Sequence, residues 1–298
     1  MLDRDHQGNR MLRIGHKGAD LLAPGNTRAS FDAALAAGVD MIEFDVLPAP
    51  GATRELLMAH DYEHVAGAET LRDGLAHLAG PSFAGVGFDV DLKLPGYETP
   101  VIDELIHKGL LERSLISSMY LGSLGLLRGL HPDLRLGWSV PRVRRDYTAR
   151  WWSMPAAHGM LAVGRRVLPA RAARALRIGL CDAIMAQWRL VTPALVAAVR
   201  GAQGELFVWT VDDAAQIAEL ERIGVTGVIT NDPRLFGDRG DRGDPGERGK
   251  PGDRSPTVAA GGALRQAAVK PGGAVKPGGA VKPGGAVKPG GAVKPGGS

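Results

Sequence analysis

The chain has 298 residues, 36 Lys and Arg against 32 Asp and Glu, a formal net charge of +4 and one cysteine. A lone cysteine excludes an intramolecular disulfide framework and fits a reducing compartment. The positive excess belongs to the end of the chain. Residues 237–298 hold 11 basic and 5 acidic side chains, whereas the first 236 hold 25 and 27, so the body gives no electrostatic reason to expect specific nucleic-acid binding.

Met1–Arg10 is polar and has no apolar core of a signal peptide, and reads as a flexible lead-in. No apolar run reaches the roughly 18 residues that a membrane span needs. These features predict a cytoplasmic protein, soluble or peripheral to a membrane.

From Met11 the pattern alternates strand and helix. Met11–His16 is the first predicted strand. A helix capped by Asn26 or Thr27 runs to Ala37, with Phe31, Ala34 and Leu35 on its apolar face, and Gly38 ends it. Asp40–Val46 and Leu56–His60 are strands, residues 69–79 a short helix, and Val86–Leu94 a strand. A helix near Val101–Lys108 precedes strands at Ser114–Ser118, Leu134–Val140, Cys181–Ala186, Leu206–Val211 and Gly227–Thr230, with a further helix at Asp213–Arg222. Alternating β and α units predict a parallel sheet, and the length of 11–236 suits one (β/α)8 TIM-type barrel. Nine strands compete for eight places, and Leu56–His60 is the one to set aside.

Titratable groups gather at the carboxyl ends of these strands, where barrels of this kind carry their active sites. Strand side chains alternate, so Glu43 and Asp45 share a face, as do Asp89, Asp91 and Lys93. Carboxylates turned into a sheet carry a desolvation cost that a bound cation or a chemical role offsets. With His16 and His60 at neighbouring strand ends, the set describes a metal-assisted site for a phosphate ester.

Residues 142–178 carry nine arginines and one acid, Asp146, interspersed with Trp151, Trp152, Leu161, Val167 and Leu168. The segment reads as an outer helix with solvated arginines or as a basic face for an anionic membrane. Residues 237–254 repeat glycine every third position in a collagen-like stretch. Residues 255–298 form a low-complexity tail with five AVKPGG copies, too rich in Gly and Pro for a core and therefore predicted to be disordered. Its evenly spaced lysines suit weak contact with an anionic surface, or the repeats are a coding expansion without a role.

The motifs HKGA (16–19), PGNT (24–27), EFD (43–45), HD (60–61), DLK (91–93), VWTV (208–211) and GVTGVITNDP (224–233) resemble, in order and spacing, the glycerophosphodiester phosphodiesterase family. The resemblance implies a TIM-type barrel that cleaves small-molecule glycerophosphodiesters to an alcohol and glycerol 3-phosphate with a divalent metal, Ca2+ or Mg2+. It implies His16 and His60 as the acid–base pair and Glu43, Asp45 and Asp91 as metal ligands. Lys17, Lys93 and Trp209 would bind substrate. Asp91 stands where the family carries glutamate, and Asp89 is the alternative ligand. Gly25 replaces a family glutamate, which weakens metal binding or changes glycerol recognition. Lys17 replaces an arginine and so keeps the charge without the bidentate fork. The short stretch between His60 and Asp91 implies an open cleft, which admits lysophospholipids as alternative substrates. A non-catalytic barrel with a surface-binding tail is the remaining alternative.

Overall fold

The structure, a computed structural model, describes residues 10–51, 55–141 and 154–237, with the side chains of 154–158 and 160 excepted. The predicted lead-in, both tail segments and Trp151 and Trp152 lie outside the described residues.

Eight parallel strands close into a barrel. In chain order they are β1 (Leu12–Gly15), β2 (Met41–Pro48), β4 (Gly87–Leu92), β5 (Ser114–Ser118), β6 (Arg135–Val140), β7 (Ala183–Gln187), β8 (Glu205–Trp209) and β9 (Gly227–Thr230). Each pairs with the next, and β9 pairs with β1 through Gly15 and Thr230, which closes the ring. The ninth strand, β3 (Leu56–Leu57), stays outside the barrel. It folds back antiparallel on the end of β2, with Leu47 opposite Leu57. The surplus predicted strand is therefore real but is not a stave.

The helices are α1 (Arg28–Ala36), α2 (Leu71–Leu78), α3 (Glu98–His107), α4 (Leu121–Leu130), α5 (Met154–Arg177), α6 (Pro193–Gly201) and α7 (Ala214–Ile223). Thr27 caps α1 by accepting from the Ser30 N–H, and Gly38 follows it at φ 72°. Asp213 caps α7 in the same way. Two helices escaped the sequence reading. α4 (LGSLGLLRGL) holds three glycines and lacks a capping side chain, whereas α6 begins with a Thr192 cap and Pro193, start signals that the sequence reading passes over.

Alternation along each stave sorts the core into two parts. Ile14, Met41, Leu115, Ala183, Met185, Phe207 and Ile229 form an inner cluster that fills the barrel, with Trp209 packed on it. The intervening residues, such as Ile42, Phe44, Val46, Phe88 and Val90, pack with the helices. On β2 the inner face therefore reads Met41, Glu43, Asp45: apolar below, acidic above. The described part of the basic segment forms the outer helix α5, while Arg142, Arg144, Arg145 and Arg150 lie outside the described residues. Leu168, Ala172, Ala175 and Leu176 of α5 are buried, and Arg171 lies over the Trp138 ring. No helix of the described residues is long and apolar enough to cross a membrane.

Candidate active site

The site is built from the carboxyl ends of β1, β2 and β4 and the turns after them. Parallel pairing sets Glu43 beside Asp89 and Asp45 beside Asp91. One carboxylate oxygen from each of Glu43, Asp45 and Asp91 lies within 4.8 Å of the others. Asp91 thus reaches the cluster despite its shorter side chain. Asp89, one pleat below, lies outside that group.

The turn after β1 folds over Glu43. Lys17 adopts φ 50°, an uncommon value for a residue with a side chain. In that conformation its backbone N–H donates to Glu43 Oε2 at 2.8 Å. Ser30 of α1 supports the bend, accepting from the Ala19 N–H and donating to the Lys17 carbonyl, both at 2.7 Å. The Lys17 ammonium does not face the cluster's carboxylates but pairs with Asp20 at 3.3 Å.

Asp45 is the hub. Asn26 clamps it from both ends: Nδ2 donates to Asp45 Oδ2 and the Asp45 N–H donates to Asn26 Oδ1, each at 3.0 Å. His60 Nδ1 lies 3.1 Å from Asp45 Oδ2. The fold-back of β3 on β2 brings His60 over this carboxylate, which no stave register would do. Lys93 Nζ lies against Asp45 Oδ1 and 2.6 Å from Asp91 Oδ2. Its place is held by Tyr97, whose hydroxyl donates to the Val46 carbonyl and accepts from the Leu94 N–H.

His16 stands beside Glu43, with Nε2 3.8 Å from Glu43 Oε2, and its Nδ1 is 2.6 Å from Asn231 Oδ1. The five predicted metal and acid–base residues are therefore brought together. Trp209 is half-buried at the end of β8, donates from Nε1 to the Met185 carbonyl and covers the inner core.

Charge in the site is frustrated. Burial, with Asp45 adding to it, raises the Glu43 pKa well above its ordinary value. Burial also acts to raise Asp45, but the Lys93 ammonium and His60 outweigh it and hold that carboxyl well below its usual range. Lys93 shows the converse: burial alone would lower it, yet Asp45 and Asp91 keep it firmly protonated. Burial lowers His16, with Asp45 opposing. Asp89 is pushed up to about 7 by burial, with Asp91 adding to the effect. Asp89 Oδ1 and Asp91 Oδ1 are buried without a hydrogen-bond partner. More buried acid than one lysine can neutralise is an environment suited to a hard cation with oxygen ligands.

Asp89 makes this frustration measurable. A carboxyl that moves from 3.8 unfolded to about 7 folded keeps its proton only in the folded state between those values. Stability should therefore fall as pH rises from 4 to 7, with a cost of up to about 4 kcal/mol above that window. Asp89→Asn should make the slope shallower, leaving the part that the raised Glu43 contributes, and raise the melting temperature at pH 8 in chelator-treated protein. Parallel melting curves for the two proteins from pH 4 to 8 would contradict this.

The space over Gly25 is filled by Asp20, whose Oδ1 accepts from the Gly25 N–H at 2.8 Å. A Cβ at position 25 would lie 2.5 Å from that oxygen and 2.9 Å from Lys17 Cβ. Asp20, which also pairs with Lys17, thus occupies the space beside Gly25. Gly25→Glu should destabilise by about 1–3 kcal/mol through overpacking, and adding Asp20→Ala should recover much of the loss. Equal melting temperatures for wild type and Gly25→Glu would refute that packing account.

Sequence reasoning reads Asn26 and Asp212 only as candidate helix caps, a place that Thr27 and Asp213 take, and passes over Asp20 and Asn231. Asn26 and Asn231 lie inside quoted motifs, and each is an amide next to a turn. Only the closed ring shows that they face Asp45 and His16.

A closed parallel barrel with its titratable groups at the carboxyl ends of the staves defines the class of (β/α)8-barrel enzymes. Residues 103–235 match the sequence profile of the glycerophosphoryl diester phosphodiesterase family. Glycerophosphodiester phosphodiesterase GDPD4 of Arabidopsis thaliana is 26% identical over 237 residues, covering 76% of this chain and 72% of that protein. A glycerophosphodiester phosphodiesterase from Agrobacterium tumefaciens superimposes with a TM-score of 0.57 at 19% identity, over 76% of this chain and 99% of that one. An Oleispira antarctica phosphodiesterase, solved with its product sn-glycerol-3-phosphate, gives 0.54 at 18% identity, over 74% and 93%. Over residues 103–235 the chain is thus similar to the glycerophosphoryl diester phosphodiesterase family, and its fold is that of solved members.

Proposed function

We propose that this protein hydrolyses glycerophosphodiesters to an alcohol and glycerol 3-phosphate, using His16 and His60 for proton transfer and a divalent cation held by Glu43, Asp45 and Asp91. The observation that carries the reading is the convergence of three carboxylate oxygens within 4.8 Å, with an imidazole hydrogen-bonded at Nδ1 on either side. A relative solved with glycerol 3-phosphate supports the substrate class.

A bound cation of the Ca2+ or Mg2+ type supplies charge neutralisation at the phosphoryl oxygens. The residues of the chain do the rest. Asp45 is ionised and accepts only, so His60 donates to it from Nδ1 and presents Nε2 to the site. That nitrogen is placed to deliver a proton to the departing alkoxide. His16, lowered by burial, stays neutral and takes the proton of the attacking hydroxyl. Lys93 offers a permanent positive charge beside Asp45 and Asp91 for an anionic substrate.

Glycerol 3-phosphate release from glycerophosphocholine by the full chain tests the reading. Turnover that EDTA abolishes and Mg2+ or Ca2+ restores is expected. Turnover indifferent to EDTA would remove the cation from the proposal.

A second reading, cleavage of lysophospholipids, is favoured by two exposed apolar side chains at the rim. Leu21 is 63% and Tyr62 49% exposed. Leu21 is hydrogen-bonded to the Asn231 carbonyl next to His16, and Tyr62 follows His60 by two residues. An acyl chain or a membrane surface would cover them. Turnover of lysophosphatidylcholine and glycerophosphocholine, measured side by side, separates the readings.

A further inference from the structure

Asn231 lies in the turn after β9 and Asp212 in the turn after β8, and neither belongs to the set of ligands and imidazoles. Asp212 Oδ1 accepts from the Asn231 backbone N–H at 2.8 Å and from Thr230 Oγ1 at 3.0 Å. Its Oδ2 accepts from Asn231 Nδ2 at 2.7 Å. Asn231 Oδ1 then meets His16 Nδ1 at 2.6 Å. The closure of the barrel brings these together, since the His16 N–H donates to the Thr230 carbonyl where β1 and β9 meet.

The direction of every proton in this chain follows from donor chemistry. An ionised carboxylate has no proton to give, so the nitrogen of the Asn231 amide must face Asp212. The amide oxygen must then face His16. An amide oxygen only accepts, so His16 must carry its proton on Nδ1. Its lone pair is therefore on Nε2, the nitrogen that faces Glu43.

We propose that Asp212 and Asn231 are positioning residues that hold His16 in the Nδ1–H tautomer, with its basic nitrogen turned to the carboxylate cluster. This rests on His16 being the base of the proposed reaction. The two histidines are fixed by different devices: His60 by the charged Asp45, His16 by a neutral amide whose orientation a surface carboxylate sets. A neutral acceptor fixes the tautomer without adding a charge against which the imidazolium would be stabilised, and a base that must later release its proton benefits from that.

Three variants test the proposal: Asn231→Ala, Asp212→Ala, and the exchange Asp212→Asn/Asn231→Asp, which keeps an acceptor on His16 Nδ1 and a donor–acceptor pair between the two turns. The first readout is the nitrogen-15 spectrum of the His16 ring at a pH where it is neutral, assigned by its loss in His16→Ala. Wild type should show a protonated Nδ1 and an unprotonated Nε2. Asn231→Ala should show exchange between the tautomers, and the double exchange should return the wild-type pattern. The second readout is turnover: kcat should fall about 10- to 100-fold in Asn231→Ala with KM changed less than threefold, less in Asp212→Ala, and recover only in part in the exchange, where a carboxylate against Nδ1 stabilises the imidazolium as the neutral amide does not. An unchanged ring spectrum in Asn231→Ala would overturn the proposal, whatever happens to kcat. If wild type turns over no glycerophosphodiester, the proposed function fails while the ring spectra still decide the tautomer.

Discussion

His16→Ala is expected to lower kcat on glycerophosphocholine by about a hundred- to ten-thousand-fold, the usual worth of a positioned acid or base, while the melting temperature changes little. The physical basis is local. His16 is half-buried, its Nδ1 is engaged by Asn231 and its Nε2 faces the carboxylate cluster, so alanine removes the proton acceptor without opening the apolar core. The pH profile carries a second signature. His16 must be neutral to accept a proton, and burial places its pKa below the ordinary 6.5. The acid limb of kcat/KM should therefore lie below 6.5, with activity lost as pH falls through it. Wild-type turnover in His16→Ala would remove this residue from the reaction.

Asp45→Asn should do more. The fully buried Asp45 carboxylate joins three side chains: the Asn26 amide nitrogen, the His60 imidazole and the Lys93 ammonium. The amide is close in size but neutral, and it brings a donor to a place where all three of these side chains already donate. Affinity for Ca2+ or Mg2+, read by titration calorimetry, should fall at least about tenfold, as it does when ligand geometry is disturbed. Turnover should drop with it. Lys93 would keep only Asp91 as a close partner, and leaving a buried cation partly uncompensated costs about 3–5 kcal/mol. The melting temperature should therefore drop by several degrees, opposite in sign to Asp89→Asn at pH 8. The two acids are one pleat apart on adjacent staves. Their opposite responses would separate a carboxylate compensated by a buried cation from one that is not. Unchanged metal affinity in Asp45→Asn would exclude Asp45 as a ligand.

The amino-acid sequence by itself settled whatever depends on local pattern. The period-two alternation of Met41, Glu43 and Asp45 told which side chains share the inner face, because a strand's geometry fixes that without reference to its neighbours. The β–α alternation gave the barrel, since a parallel stave needs a crossover and the crossovers were legible as capped helices at Thr27 and Asp213. The run that stayed illegible was α4 with its glycines, whose helicity rests on packing; α6 carried legible start signals in Thr192 and Pro193.

Tertiary structure decided whatever joins distant turns. The fold-back of β3 carries His60 onto Asp45, although nothing in LLMAHD marks an antiparallel return. Ring closure sets Asn231 against His16 across 215 positions of sequence, and a bend at Lys17 puts Asp20 where Gly25 leaves room. Hydrogen bonds of this kind depend on distances of about 3 Å between groups that only closure brings together. Residue spacing along a chain encodes the face of a strand, whereas the orientation of an amide is set by whichever donor or acceptor the fold places opposite it.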